Sequence, residues 1–136
     1  MYERRIETYE EFWPFYVREH SDPTNRKLHF VGTTGSIVFL TLAVLRRKPT
    51  HILHALLAGY GGAWIGHFAF QKNKPATFKY PLWSLYSDFR MYGKILTGQM
   101  DEEVRRAMEQ AEREAASQAA STQESPAAET RPQDLN

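Results

Sequence analysis

The stretch FVGTTGSIVFLTLAVL at residues 30–45, the turn RRKP at 46–49 and the run ILHALLAGYGGAWIGHFAF at 52–70 decide how this chain folds. The first run holds sixteen residues without a charge, and the second nineteen without an acid, Lys or Arg. Built as helices they extend about 24 and 28 Å, at a rise of ~1.5 Å per residue. A bilayer core is about 30 Å thick, so the second run is a credible span and the first a marginal one. The three cations and Pro49 between them make a tight polar turn. The simplest arrangement is an antiparallel helical hairpin in a membrane. A buried hairpin in a water-soluble bundle is the alternative, because sixteen residues falls short of the usual span. Gly62 and Gly66 stand in GxxxG spacing, which lets two helices approach closely. Their face suits either the hairpin partner or a second copy of the chain, and a homo-oligomer through it is an expectation.

Composition divides the 136 residues in two. Residues 1–100 carry thirteen bases, seven acids and all eighteen aromatics, whereas 101–136 carry nine acids, four bases and no aromatic. The first part is predicted to be a helical membrane domain. Asp101-Glu-Glu-Val opens a polar helix over 101–116, and 117–136 reads as a disordered acidic tail that buries too little apolar surface to offset its ordering entropy. A net charge of +1 excludes a strongly basic nucleic-acid binder, and the basic groups beside the apolar runs suit lipid headgroups instead. With no cysteine, thiolate metal sites, iron–sulfur clusters and cysteine nucleophiles are excluded. Any metal must be held by His, Asp or Glu.

Around the hairpin, Thr8 and Glu11 stand in capping-box spacing ahead of an aromatic helical face, Tyr9, Phe12, Trp13, Tyr16 and Val17. Pro14 inside that pattern predicts a kink or a broken start. Pro23 makes a turn, after which Thr24 or Asn25 is expected to cap the next helix. Pro81 opens a segment with Leu82, Leu85, Tyr86, Phe89 and Ile95 on one face, suited to the membrane interface or to packing on the hairpin. No strand pattern occurs. The predicted fold is all-α: a small helical membrane protein with a central antiparallel transmembrane hairpin flanked by amphipathic helices.

His29 lies nineteen residues before Lys48 and His67 nineteen after it, so a hairpin turning at Lys48 sets them level at its open end. The turn at Pro23 can bring His20 to the same height. Three convergent imidazoles suit Fe(II), Zn(II) or a similar ion and leave coordination positions for substrate or oxygen. Glu19, Asp22, Asn25 and Gln71 are the polar residues near enough to support them. His51 and His54 belong to the other end, about 20 Å away along the helix. The bases Arg26, Lys27, Lys72, Lys74 and Lys79 at the histidine end outnumber the three in the turn, which points the termini and the histidines to the cytoplasm.

The run FYVREHSDPTNRKLH at 15–29 is similar to the N-terminal signature of the Mpo1-like family, and GHFAFQKNKPA at 66–76 resembles its second signature. Thr77, Phe78 and residues 81–85 resemble the bacterial branch, and the likeness covers about residues 8–95. The resemblance implies a multi-pass membrane protein, here of a bacterial inner membrane. It also implies the activity of the family's yeast member, a dioxygenase that uses Fe(2+) and molecular oxygen to shorten 2-hydroxy fatty acids by one carbon. Carried over residue by residue, the motif histidines fall on His20, His29 and His67 as metal ligands and catalytic residues. Apart from the resemblance, Asn25 and Arg26, or Lys27 in place of Arg26, are expected to meet the acid headgroup, with a phospholipid contact the alternative for Arg26. The chain departs from the pattern twice: Gln71 stands where the second signature has Glu, and Ser21 where the yeast form has a second His.

Overall fold

The computed structural model describes residues 5–123 and is all-helical, with no strand among them. Helix α1 spans Tyr9–Arg18, α2 Pro23–Arg46 and α3 Thr50–Ile65. A π-helical turn, Gly66–Gln71, continues α3; a single 3-10 turn, Ala76–Phe78, leads into α4, Pro81–Leu96, and then α5, Met100–Gln123.

Each helix start has a local cause. Thr8 Oγ1 accepts from Glu11 N at 3.3 Å to open α1, which then runs unbroken through Pro14 because its aromatic face is held by packing. The cap of α2 is Asp22, not Thr24 or Asn25. Its carboxylate accepts from Thr24 N at 2.7 Å and Asn25 N at 2.9 Å. Pro23 takes the first helical position, where its fixed φ and missing N–H cost nothing. At the other end Arg47 adopts φ 49°, and Lys48 N returns to Ala43 O at 3.2 Å, reversing the chain ahead of Pro49.

Helices α2 and α3 form the expected hairpin, and small residues hold it together. A Cβ placed on Gly32 would stand 2.7 Å from Ala58 O, and one on Gly62 would stand 2.7 Å from Leu28 O. Ser36 Oγ donates across the seam to Ala55 O at 2.7 Å. The Gly62/Gly66 face is therefore consumed inside the chain, with Gly62 against α2 and Gly66 against Asn25.

The aromatic core lies elsewhere. Phe12, Trp13, Tyr16 and Val17 of α1 pack with Tyr80, Met91, Met100 and Ala107 into a cap of α1, α4 and α5 over the open end of the hairpin. Arg90 lies 4.0 Å from the Trp13 ring, and Trp13 Nε1 donates to Glu103 Oε2 at 2.9 Å. Helix α4 crosses the hairpin: Tyr92 stacks on Phe30 at 4.7 Å and bonds Thr34 Oγ1 at 3.1 Å. It turns Ser84, Ser87 and Met91 inward and leaves Leu82, Leu85, Tyr86 and Phe89 exposed.

On the hairpin this pattern is inverted relative to a water-soluble bundle. Val31, Val44, Leu45, Leu53, Leu57 and Ile65 are each more than half exposed, while Asn25, His29, Thr33 and His67 are buried. Among the described residues one helix, α2, is long and apolar enough to cross a membrane, with mean hydropathy 1.8. The expected second span is not there as a single α-helix, because α3 gives way to the π-helical turn at Gly66. The polar helix also differs from expectation: α5 continues past Ala116 to Gln123. Ala115, Ala116, Ala119 and Ala120 carry the highest helix propensity, which a count of charge and apolar content overlooks. The rest of the predicted tail, 124–136, lies outside the described residues.

Candidate metal centre

His20 follows α1, His29 sits two turns into α2, and His67 opens the π-helical turn. The three rings meet with centroids 4.5 to 5.1 Å apart, and one nitrogen of each lies within 4.8 Å of the others. All three residues are buried, at 1%, 5% and 1% exposure.

The second nitrogen of each ring explains the arrangement. His20 Nδ1 donates to Tyr16 O at 2.7 Å, one turn back along the chain. His29 Nδ1 lies 3.3 Å from Asp88 Oδ1, and Asp88 also accepts from the Tyr16 hydroxyl. His67 Nδ1 lies 2.7 Å from Asn73 Oδ1. The amide of Asn73 has its orientation fixed, because Nδ2 donates to Glu19 O at 3.0 Å and Glu19 Oε2 at 2.7 Å. Asn73 N closes the loop onto His67 O at 3.2 Å. A carbonyl and an amide oxygen can only accept, so the Nδ1 atoms of His20 and His67 carry the proton, and the Asp88 carboxylate favours the same at His29. In neutral rings of that tautomer each Nε2 is a lone pair facing the common space.

Two such lone pairs, His20 Nε2 and His29 Nε2, stand only 3.2 Å apart. Facing acceptors at that distance repel unless a cation lies between them. A proton on His20 is opposed first by its burial and then by His29 and His67, which hold its pKa well below that of a free imidazole. Three neutral imidazole nitrogens, each oriented by an acceptor behind it, are the donor set that divalent transition metals take, at about 2.1 Å. The residues fit a metal ion, and the donor set does not decide which.

Of the residues singled out in the sequence, His20, His29 and His67 come together. His51 and His54 stay at the hairpin tip, paired Nδ1 to Nδ1 at 3.4 Å beside Phe39. Asn25 is fully buried and fills the space a side chain at residue 66 would take. Arg26 donates to His20 O at 3.0 Å, Ser21 O at 2.7 Å and Asp101 at 2.9 Å. Both residues therefore buttress the 20–25 turn. Ser21 and Gln71, the two departures from the family pattern, touch one another: Gln71 Nε2 donates to Ser21 Oγ at 2.9 Å, and Gln71 Oε1 accepts from Asp22 N at 2.8 Å. Asp88, Asn73 and Tyr16 are the site residues that sequence reasoning missed. They come from a crossing helix, from a polar loop and from a helix read only for its aromatic face. Asp88 alone left a trace, as an acid four residues after Ser84 on an otherwise aromatic helix.

A cavity of about 320 Å³ starts at the three histidines and runs between α2, α3 and α4. On α2 it follows His29, Thr33, Ser36 and Leu40, so it extends ~16 Å toward the hairpin tip, where Leu40 and Ile52 wall it. Among the described residues no Lys or Arg lines it.

An all-helical hairpin with a capped, buried three-histidine centre at its open end defines the class: a small helical protein with a candidate transition-metal site. The family described as "2-hydroxy-palmitic acid dioxygenase Mpo1-like" matches residues 6–100, and the chain belongs to it. Comparison with curated proteins and with solved structures gives no match.

Proposed function

We propose that the protein is a membrane-bound Fe(II)-dependent dioxygenase that shortens 2-hydroxy fatty acids by one carbon. One observation carries this reading: ring nitrogens of three buried histidines converge at the end of a long, largely apolar cavity. The family name agrees with it. Carbon, oxygen and hydrogen balance when a 2-hydroxy acid and one O2 give the acid one carbon shorter, CO2 and water. The metal would supply redox access to O2 and an electrophilic anchor for substrate oxygens.

The protein's own residues supply the rest. His20, His29 and His67 would hold the ion, with Tyr16 O, Asp88 and Asn73 fixing their tautomers. A divalent ion beside one carboxylate, Asp88, carries a net positive charge that one substrate carboxylate offsets. This accounts for an acid site without a Lys or Arg in its wall. Leu40, Ile52 and Leu56 line the path for the acyl chain.

The same proposal places the hairpin in a bilayer as two passes, α2 beside α3 with its π-helical continuation. The exposed Val, Leu and Ile side chains on both arms support it. The excess of cations at the histidine end puts the centre and the termini on the cytoplasmic side.

Protein purified in detergent and supplied with Fe(II), air and 2-hydroxypalmitate should yield the fifteen-carbon acid, and an anaerobic sample none. His67→Ala should lose stoichiometric iron and the product together. Full iron content and turnover in that variant would refute the reading. An iron-free protein whose histidines serve only to bond helices would give neither metal nor product in the parent chain.

A further inference from the structure

Beside the histidines, the described residues of the cavity wall include a buried hydroxyl without a hydrogen-bond partner. Ser84 is 3% exposed, lines the cavity, and its Oγ has no hydrogen-bond partner. Helical hydroxyls ordinarily return to the carbonyl one turn back. Thr34 does so to Phe30 O and Thr41 to Ile37 O, each at 2.8 Å. Ser87, on the same helix, is satisfied by Tyr9 Oη at 3.0 Å. Ser84 alone of these keeps its buried hydroxyl free, at a cost that a waiting ligand would remove.

Its position says which ligand. Ser84 and Asp88 stand four residues apart on one face of α4, so their β-carbons lie about 5–6 Å apart. Asp88 braces His29, and both residues line the cavity that the histidines close. A group that meets both the histidine nitrogens and Ser84 must offer a polar atom to each. The remaining wall, Leu40, Ile52 and Leu56, asks for hydrocarbon.

We propose that Ser84 is a second anchor for the substrate headgroup, its hydroxyl donating to one oxygen of a long-chain 2-hydroxy acid whose other oxygens face His20, His29 and His67. This rests on the proposed substrate class, but it assigns recognition to a residue outside the histidine set. It also explains how a headgroup is oriented where no guanidinium or ammonium is present.

The test uses the full chain in detergent, metal-free and again loaded with Fe(II) under argon. Affinities for 2-hydroxypalmitate and for hexadecane, which has the tail without the headgroup, are read by displacement of a fluorescent fatty acid. Ser84→Ala should weaken 2-hydroxypalmitate about tenfold, the effect of one lost hydrogen bond to a charged group, and leave hexadecane unchanged. Its melting temperature should hold or rise, because the substitution removes an unsatisfied buried hydroxyl. Unchanged acid affinity would overturn the proposal, as would an equal loss for both ligands or a fall in melting temperature. Since the metal-free arm reads headgroup discrimination alone, failure to bind iron or turn over substrate would count against the dioxygenase reading and leave the Ser84 result standing on its own.

Discussion

Replacing Gly32 by alanine tests whether the hairpin seam sets the metal centre. The new methyl would stand 2.7 Å from Ala58 O, 3.3 Å from Gly59 O and 3.4 Å from Gly62 Cα. All three are backbone atoms in a helix and cannot swing aside. Ordinary contact begins at about 3.5 Å, so the arms must part locally by roughly 0.8 Å. Overpacking of this kind costs ~1–3 kcal/mol. Gly32 lies three residues beyond His29, and its contacts lie on the arm that ends in His67. A ligand set held to about 0.5 Å would be displaced by more than it tolerates. We expect Gly32→Ala to melt lower and to bind Fe(II) at least tenfold more weakly by titration in detergent, a loss of ~1.4 kcal/mol. Two companions calibrate the effect. A methyl on Gly61 meets nothing within 4 Å and should stabilise the helix by about 0.5–1 kcal/mol. A methyl on Gly59 meets only Ser36 Oγ, which can rotate away for the loss of one hydrogen bond of about 1 kcal/mol. Wild-type melting and metal affinity in Gly32→Ala would show that the seam does not position the histidines.

Two further outcomes follow from the geometry. Asp88→Asn removes the anionic acceptor behind His29 and the partner of the Tyr16 hydroxyl, so metal affinity should fall about 10- to 100-fold by competition with a chelator; an unchanged affinity would detach Asp88 from the site. The metal-free protein should lose stability in acid. His20 is neutral when folded and titrates near 6.5 when unfolded, so the unfolded chain binds the extra proton; stability is complete above about pH 6.5 and declines below it by up to ~1.4 kcal/mol per unit for this one group. Melting temperatures that rise between pH 7.5 and pH 5 would contradict that sign.

The hairpin and the meeting of the three histidines were legible because both depend on spacing. Equal distances about Lys48 place His29 opposite His67 whatever the side chains between them do. The residues that orient those ligands were not legible, because they arrive by packing. Asp88 reaches His29 only when α4 crosses the hairpin, and α4 crosses there because Tyr92 stacks on Phe30, a contact no local pattern announces. Asn73 reads as one polar residue in a charged loop until the π-helical turn folds it back over His67. The widened turn was itself hidden, since Gly66–Gln71 has the composition of ordinary apolar helix. The buried Asn25 lies against its first residue, Gly66, where a side chain would not fit. Arg26's contacts were not legible either: it donates to the carbonyls of His20 and Ser21, which local sequence does not announce.

The inverted hairpin, with small and polar residues inside and branched aliphatics outside, has an evolutionary consequence under the proposed bilayer placement. At positions such as Val44, Leu53 and Leu57, lipid adapts to whatever shape it meets, so exchange among aliphatic residues should be almost free. At Gly32 and Gly62 a single added carbon is rejected. Sequences drifting from this one would keep their smallest residues and scramble their largest. The usual signature of a hydrophobic core would then be read from the wrong positions, and the surviving glycines would trace the line along which the two arms meet.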